Sequence, residues 1–259
     1  MIICRSAGEI ERMRAANRLV ARVLAQLAAT VAVGVTTADL DALAERLVRE
    51  AGAEPAFKGY RGYPATLCAS INQEVVHGIP SRTRALRAGD IVSLDMGVRL
   101  DGFYGDSAVT VPVGDVPEKT RELLRVTREA LEEAIAQVRV GGRLSDIGHA
   151  VQACVEAHGF SVVREFVGHG IGERLHEEPQ IPNYGQPGRG PKLAEGMVLA
   201  IEPMVAMGRP EVKVLSDGWT AVTRDGSLAA HFEHTVAVTA AGPLVLTAAN
   251  GAPAGAARV

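Results

Sequence analysis

Four acidic residues and one histidine are the residues whose types and spacing suggest catalysis in this 259-residue chain. They are Asp95, Asp106, His169, Glu202 and Glu233. Asp95 and Glu202 each follow a short apolar run, 91–94 and 198–201, that is typical of a buried strand. An unpaired charge at the end of such a strand is unfavourable, and neighbouring carboxylates cannot all stay ionised without cations. The set therefore predicts a site for divalent cations.

The acids occupy matching places in two parts of the chain. A shift of 107 positions lays residues 88–95 on residues 195–202, so that Asp95 falls on Glu202. The same shift relates two further pairs of segments, 31–34 with 138–141 and 39–52 with 146–159. A second acid follows at the head of another β-like run, Asp106 in the first part and Glu233 in the second. The pattern indicates an internal duplication whose two halves bring all four acids to one interface.

The ligand types indicate which metals the site would hold. One imidazole among four carboxylates is a hard, oxygen-rich set, which favours Mn(II), Fe(II) or Co(II) over a structural zinc, although zinc is also compatible. Two divalent ions would balance the four carboxylates. A pair of ions about 3.5 to 4 Å apart activates water against an amide carbonyl. The alternative for any single acid is a surface or capping residue.

Three histidines extend the candidate site. His169 lies among three glycines within residues 168–172, and glycine allows close backbone approach and unusual dihedral angles, as in a site loop. The alternative for His169 is a simple glycine-rich turn. His77 and His176 are candidates for general acid catalysis, and a packed side chain is the alternative for His77.

Composition bounds the class of protein. Apolar residues make up 47% and charged residues 22% of the chain, which is ordinary for a soluble globular protein. A net charge of −3 gives no electrostatic reason to expect a nucleic acid or membrane partner. Three cysteines without CxxC spacing predict neither a disulfide framework nor a zinc finger, and favour a reducing cytoplasm. No apolar run approaches the roughly 20 residues that span a bilayer.

Hydrophobic periodicity predicts the elements that hold the site. Apolar residues at three- and four-residue steps from Ile10 to Val31 predict a long helix that packs on a sheet, with a coiled coil as the alternative. Further helices are expected at 39–50, 117–138 and 145–158, the last with Ser145 as its N-cap. A strand meander is expected over 65–113, and further strands at 161–168, 197–202, 211–215 and 231–239.

This order of elements predicts an α+β fold in which helices cover the outer face of a curved antiparallel sheet. We expect one domain over residues 1–259, made of two pseudo-symmetric halves at about 8–113 and 115–240. From about residue 248 the chain is rich in Ala, Gly and Pro, which predicts a flexible tail.

The chain resembles type I methionine aminopeptidases, which are metallopeptidases of the pita-bread fold. The resemblance runs from about residue 6 to 247. It is carried by the motifs Gly62-Tyr63-Pro64, Ser93-Leu94-Asp95, Ile201-Glu202-Pro203-Met204 and Phe232-Glu233-His234-Thr235, and by segments 72–80, 102–110 and 168–179. It implies removal of the N-terminal methionine from nascent proteins and peptides, with preference for a small second residue.

The resemblance also implies roles for the five candidate ligands. Asp95 would bind one metal, Asp106 and Glu233 would bridge both, and His169 with Glu202 would complete the other. A hydroxide that bridges the metals would attack the first peptide bond, with Glu202 as the proton shuttle.

The same resemblance implies how the substrate is held. His77 and His176 would bind the scissile amide and stabilise the developing charge. The residues that would line the methionine pocket are Phe57, Tyr60, Tyr63, Cys68, Leu175 and Trp219. Many members carry a larger aromatic residue where this chain has Leu175, which puts the shape of the pocket in question.

The expected partner is the N-terminal methionine of nascent polypeptides in the cytoplasm. A transient association with the ribosome is compatible with this partner. We expect a monomer with no nucleic acid or membrane partner. One alternative is an X-Pro aminopeptidase or dipeptidase, whose usual N-terminal domain would find no room in 259 residues. A second is a non-catalytic binding module of the same fold, although such modules lose metal ligands.

Overall fold

The computed structural model describes residues 1–248, so the predicted tail lies outside the described residues apart from Ala248. The helices are α1 (Ala7–Thr30), α2 (Thr37–Glu50), α3 (Glu118–Ala136) and α4 (Leu144–Ala157). The strands of the first part are β1 (Glu54–Pro55), β2 (Cys68–Ile71), β3 (Glu74–Val76), β4 (Ile91–Leu100) and β5 (Phe103–Pro112). Those that follow are β6 (Ser161–Val162), β7 (Gly168–Gly170), β8 (Glu177–Ile181), β9 (Val198–Ile201), β10 (Met204–Ala206), β11 (Val212–Val214), β12 (Ala221–Thr223), β13 (Ala229–His231), β14 (His234–Thr239) and β15 (Gly242–Val245).

Helix α1 forms where the apolar stripe was predicted. It begins with a capping box, in which Ser6 and Glu9 bond each other's backbone N–H groups and so satisfy two otherwise free donors. Its buried stripe, which includes Leu19 and Val20, packs with Val92 and Leu94 of β4 in one apolar cluster. The helix therefore packs on a sheet, and the coiled-coil alternative is wrong.

Helix α4 corrects the predicted cap. The helix begins at Leu144 with Arg143 as its N-cap residue, and Asp146 accepts a bond from the Arg143 backbone N–H at 3.0 Å. Ser145 is already inside the first turn, and its hydroxyl instead donates to the carbonyl of Arg189 at 2.9 Å. Asp146 therefore satisfies the N–H of the N-cap residue, and the prediction of Ser145 as N-cap is wrong.

Two antiparallel sheets carry the candidate site. In one, β4 pairs with β1, β2 and β5, and in the other the strand order is β15-β14-β9-β7-β8. Helices α1 and α2 share an apolar cluster with the first sheet, while α3 and α4 share a second cluster with β9 and β14. Helices thus pack on antiparallel sheets, and the predicted α+β class is confirmed.

The two sheets are joined along one seam between β5 and the segment that leads into β14. Ala108 and Glu233 form an antiparallel bridge in which the Glu233 N–H donates to the Ala108 carbonyl at 2.9 Å. Ser107 donates its hydroxyl to the Glu233 carbonyl at 2.6 Å, and Thr235 donates to the Asp106 carbonyl at 2.8 Å. The seam therefore fixes two candidate ligands against each other.

The offset seen in the sequence recurs in the helices. Helices α2 and α4 each have 14 residues, and their first residues, Thr37 and Leu144, are 107 positions apart. This supports the predicted duplication, and the division of one domain into two pseudo-symmetric halves stays a prediction.

Some strand bounds differ from expectation. The apolar alternation continues past Asp95 through the buried Met96 and Val98, so Asp95 lies within β4 and not at its end. Residues 161–168 form only the two-residue strand β6 and the first residue of β7, with a non-strand segment between them. Within residues 1–248, no helix has the length and apolar character that crossing a bilayer requires.

Candidate metal centre and pocket

The sheets bring the predicted acids to one place. Asp106 pairs with Gly97 in the β4–β5 register, and Gly97 is two residues from Asp95, so both carboxylates project from the same face. Glu202 directly follows β9, whose last residue Ile201 pairs with His234 of β14, so Glu202 lies opposite Glu233. The seam then places the second pair of acids beside the first.

His169 reaches this cluster from β7, where it pairs with Ala200 of β9. Its Nε2 lies 3.5 Å from a carboxylate oxygen of Glu202. Its Nδ1 lies 2.9 Å from the Gly170 carbonyl, so Nδ1–H donates there and Nε2 keeps a free lone pair. This is the form of histidine that binds a metal ion.

The glycines around His169 serve close approach. A Cβ at Gly168 would lie 2.4 Å from the Ala200 carbonyl oxygen, and one at Gly170 would lie 2.2 Å from that of Glu178. Neither has a positive φ, and His169 lies in a strand. The expected close approach is thus present, whereas the expected site loop and unusual dihedral angles are wrong.

The donor atoms fit divalent cations. One potential ligand atom each from Asp106, His169 and Glu233 all lie within 4.8 Å of one another. Buried oxygens of Asp95, Asp106 and Glu233 have no hydrogen-bond partner among the described residues. Buried acceptors without a donor are unfavourable, and a shared cation satisfies several of them at once. The cluster therefore has the chemistry of a metal centre that the sequence predicted.

Electrostatics supports the same conclusion. Burial raises the pKa of Asp95 to about 7, and burial together with neighbouring carboxylates raises the pKa of Asp106, Glu202 and Glu233 well above the usual range. Burial lowers the pKa of His169 to about 3, with a smaller contribution from His176. A nearby dication reverses these preferences, because it stabilises carboxylates and neutral imidazole.

The centre opens into a cavity of about 160 Å³. Every site residue predicted from the sequence lines it: Phe57, Tyr60, Tyr63, Cys68, His77, Asp95, Asp106, His169, Leu175, His176, Glu202, Trp219 and Glu233. One wall is therefore acidic and the other largely apolar, which suits a ligand with a polar end and an apolar side chain.

The apolar wall is built from packed aromatic rings. Tyr63 and Trp219 meet edge to face with centroids 5.1 Å apart, and both contact the small apolar cluster that holds Cys68. The Tyr63 hydroxyl lies 3.1 Å from the carbonyl oxygens of Leu67 and Gly78, which leaves its apolar ring to line the cavity. Such a surface suits a flexible thioether side chain.

Two histidines stand between the acidic and apolar walls. His176 lies with its ring centroid 4.2 Å from that of His169, and its Nδ1 lies 2.9 Å from the Tyr60 hydroxyl. His77 has a φ of 61° and packs edge to face against Phe166. Burial lowers the pKa of His77 to about 4 and also lowers the pKa of His176, so both are neutral at pH 7. A neutral imidazole can donate one N–H to a bound amide.

Sequence reasoning missed two residues of this region. Arg61 also lines the cavity, beside the predicted Tyr60. His231 is buried, and its Nε2 lies 3.8 Å from a carboxylate oxygen of Glu202. Neither was singled out within the motifs, although Arg61 directly precedes the Gly62-Tyr63-Pro64 motif and His231 directly precedes Phe232. Their positions next to motif residues are the signal that could have found them.

Comparison with known proteins gives relatives over almost the whole chain. A methionine aminopeptidase of Clostridium acetobutylicum is 52% identical over 247 residues, which cover 95% of this chain and 99% of the relative. The crystal structure of a methionine aminopeptidase from Thermotoga maritima superposes with a TM-score of 0.94 at 49% identity, covering 95% of this chain and 99% of that one.

More distant structures share only the fold. The prolidase of Pyrococcus horikoshii has a TM-score of 0.77 at 23% identity, and covers 96% of this chain but 64% of that one. Together these neighbours confirm the predicted pita-bread fold. The sequence profile of Metallopeptidase family M24 matches residues 11–240. Because that match spans most of the chain, and relatives about half identical cover nearly all of it, the chain belongs to metallopeptidase family M24.

Proposed function

We propose that this protein is a methionine aminopeptidase, which hydrolyses the first peptide bond of chains that begin with methionine. The observation that carries the proposal is a cavity in which four acids and His169 lie opposite apolar side chains. The relatives of about 50% identity, which are methionine aminopeptidases, support the same activity. We also propose that the enzyme prefers a small second residue and acts on nascent chains in the cytoplasm. It would be a monomer that associates transiently with the ribosome.

Asp95, Asp106, His169, Glu202 and Glu233 would hold a pair of divalent ions, with Mn(II), Fe(II) or Co(II) favoured by their hard oxygen donors. When bound, such ions supply Lewis acidity that lowers the pKa of water and polarises the scissile carbonyl. The acids would hold such ions rigidly, because Asp95 and Asp106 lie in paired strands and Glu202 and Glu233 lie directly beside them.

Glu202 would carry the proton through hydrolysis. It accepts the proton that water loses as its oxygen attacks the carbonyl carbon, and it returns that proton to the leaving amine nitrogen as the C–N bond breaks. The His176 ring, whose Nδ1 meets the Tyr60 hydroxyl, keeps Nε2–H as a donor to the amide when Tyr60 donates. His77 lines the same cavity and supplies a second neutral donor for the developing oxyanion.

The apolar wall selects the first residue. Phe57, Tyr60, Tyr63, Cys68, Leu175 and Trp219 would enclose the methionine side chain. Burial raises the pKa of the Cys68 thiol, so this cysteine stays a neutral apolar surface. A charged first residue would lose its hydration in this pocket without gaining a partner on that wall.

The first experiment is mass spectrometry of a peptide mixture whose members begin with Met-Ala, Met-Lys, Leu-Ala or Ala-Pro. The protein is treated with chelator and incubated with and without Mn(II), Co(II) or Fe(II). We expect loss of methionine from the Met-Ala peptide alone, and only with metal. Cleavage before proline would indicate an X-Pro peptidase, and no cleavage with any metal would favour a non-catalytic binding protein.

A paired substitution tests the proton carrier. Glu202→Gln is expected to lower kcat by at least about 100-fold, because the amide cannot accept a proton. Glu195→Gln, which neutralises an exposed acid seven positions away, serves as the control. Circular dichroism of both variants checks that the fold is kept. Near-wild-type turnover in a folded Glu202→Gln protein would remove Glu202 from this role.

A further inference from the structure

Arg61 is the only cationic side chain among the residues that line the cavity. It is exposed, and within residues 1–248 it forms no ion pair and no side-chain hydrogen bond. Some surface arginines have a carboxylate partner close by, as Arg12 has Asp101 at 2.7 Å, whereas Arg61 does not. An unpaired guanidinium at the entrance of a substrate cavity is available to bind a carboxylate from a ligand.

The local backbone holds this side chain at the entrance. Arg61 lies in the left-handed region with φ 48° and ψ 25°, which costs a non-glycine residue about 1 kcal/mol. It is flanked by Gly59 and Gly62, whose φ values of 87° and 89° let the chain turn tightly around it. The turn is closed by backbone bonds, including one from the Gly59 N–H to the Tyr63 carbonyl at 2.8 Å. The residue is therefore held in a fixed turn and not on a free loop.

One side-chain contact places the guanidinium beside Tyr60. Its carbon lies 5.4 Å from the centre of the Tyr60 ring, within the range of a cation–π contact. The same Tyr60 meets His176, the residue proposed to hold the scissile amide. Tyr60 therefore links Arg61 to the side of the cavity where the amide would be held.

We propose that Arg61 binds a carboxylate on the peptide just beyond the scissile bond, so that the enzyme favours substrates with Asp or Glu as the third residue. The inference rests on the proposed function. A small second residue cannot reach the entrance, whereas each further residue of an extended chain advances about 3.3 Å. The third residue is therefore the first whose side chain can carry a carboxylate to Arg61.

The test compares kcat/KM for three peptides with amidated C-termini, which begin Met-Ala-Asp, Met-Ala-Asn and Met-Ala-Lys and are otherwise identical. The wild-type holoenzyme is expected to prefer Asp over Asn, and Asn over Lys, by about two- to fivefold at each step, as for an exposed ion pair. The preference is expected mainly in KM, and to shrink in 0.5 M salt. In Arg61→Gln both ratios are expected to fall close to one.

Arg22→Gln removes an exposed arginine of α1 that does not line the cavity, and is expected to keep the wild-type ratios. Unchanged ratios in Arg61→Gln would overturn the inference. An equal loss of activity on all three peptides would also overturn it, because that result indicates a purely structural contact with Tyr60. If the wild-type enzyme with metal cleaves none of them, the proposed function itself fails.

Discussion

A buried ion pair between the N-terminal segment and β8 provides a quantitative test of the structure. The guanidinium of Arg5 donates to both carboxylate oxygens of Glu177, at 2.6 and 2.8 Å. The two side chains are only 4% and 7% exposed. Leu175 and His176 of the cavity lie directly before Glu177, so this pair ties the site to the start of α1.

Arg5→Met leaves the Glu177 carboxylate buried without its main partner. Breaking a buried pair in this way costs about 3 to 5 kcal/mol. For a chain of this length each kcal/mol lowers Tm by about 2 to 4 °C, so we expect a loss of about 6 to 20 °C. Differential scanning calorimetry at fixed metal concentration measures the change. A small loss of activity should accompany it, because the segment that holds His176 loosens.

Two further variants make the test specific. Arg5→Met with Glu177→Leu is expected to recover most of the lost stability, since an apolar pair of similar size removes the isolated charge. Arg12→Met breaks the Arg12–Asp101 pair, whose side chains are 51% and 64% exposed, and should cost at most about 1 kcal/mol. A loss below about 1 kcal/mol in Arg5→Met, or no recovery in the double variant, would refute the reasoning.

Three further predictions concern the metal, the packing and the site. Chelation should lower Tm, because bound metal stabilises the native state. The metal-free protein should regain stability as pH falls from 7 toward 4, because the pKa of Asp95 is raised to about 7 in the folded state. A Tm of the metal-free protein that does not change over this pH range would contradict the prediction. Gly148→Ala should lower the free energy of unfolding, because the added Cβ would lie 2.1 Å from the Pro182 carbonyl oxygen. Gly8→Ala in α1 has space for its Cβ and should raise the free energy of unfolding by up to about 1 kcal/mol. Urea unfolding measures both changes. Tyr60→Phe should lower kcat/KM about two- to tenfold through the lost bond to His176 and leave Tm unchanged; equal rates would exclude that bond from catalysis.

Local patterns in the sequence were sufficient for the helices. The apolar residues from Ile10 onward predicted α1, because their three- and four-residue spacing puts them on one face of a helix, which can then pack on a sheet. The position of Asp95 was not predictable in the same way. A polar residue within a strand is easily taken from the sequence for the end of that strand. Only the structure shows that β4 continues past Asp95, because its residues pair with β5 as far as Leu100.

The residues of the candidate site were predicted largely through motifs. The geometry of the site could not be predicted in that way. The resemblance named every residue that the cavity gathers except Arg61, while the individual roles of those residues stay predictions. His231 and Arg61 lie at the site because neighbouring segments bring them there, and a single sequence does not show how segments pack. His169 shows the same limit, since its glycines read as a loop but serve the close packing of β7 on its neighbours.

The seam between β5 and β14 has a consequence for how the enzyme is made. Its hydrogen bonds join residues 126 and 129 positions apart in sequence, so neither partner can be in place until most of the chain exists. During synthesis, the Asp106 and Glu233 carboxylates can come together only after Glu233 has left the ribosome. Contacts of such long range form slowly, because the chain must lose loop-closure entropy before it gains from them. Metal binding would then occur only in a complete chain. An incomplete chain would therefore not hydrolyse other nascent polypeptides.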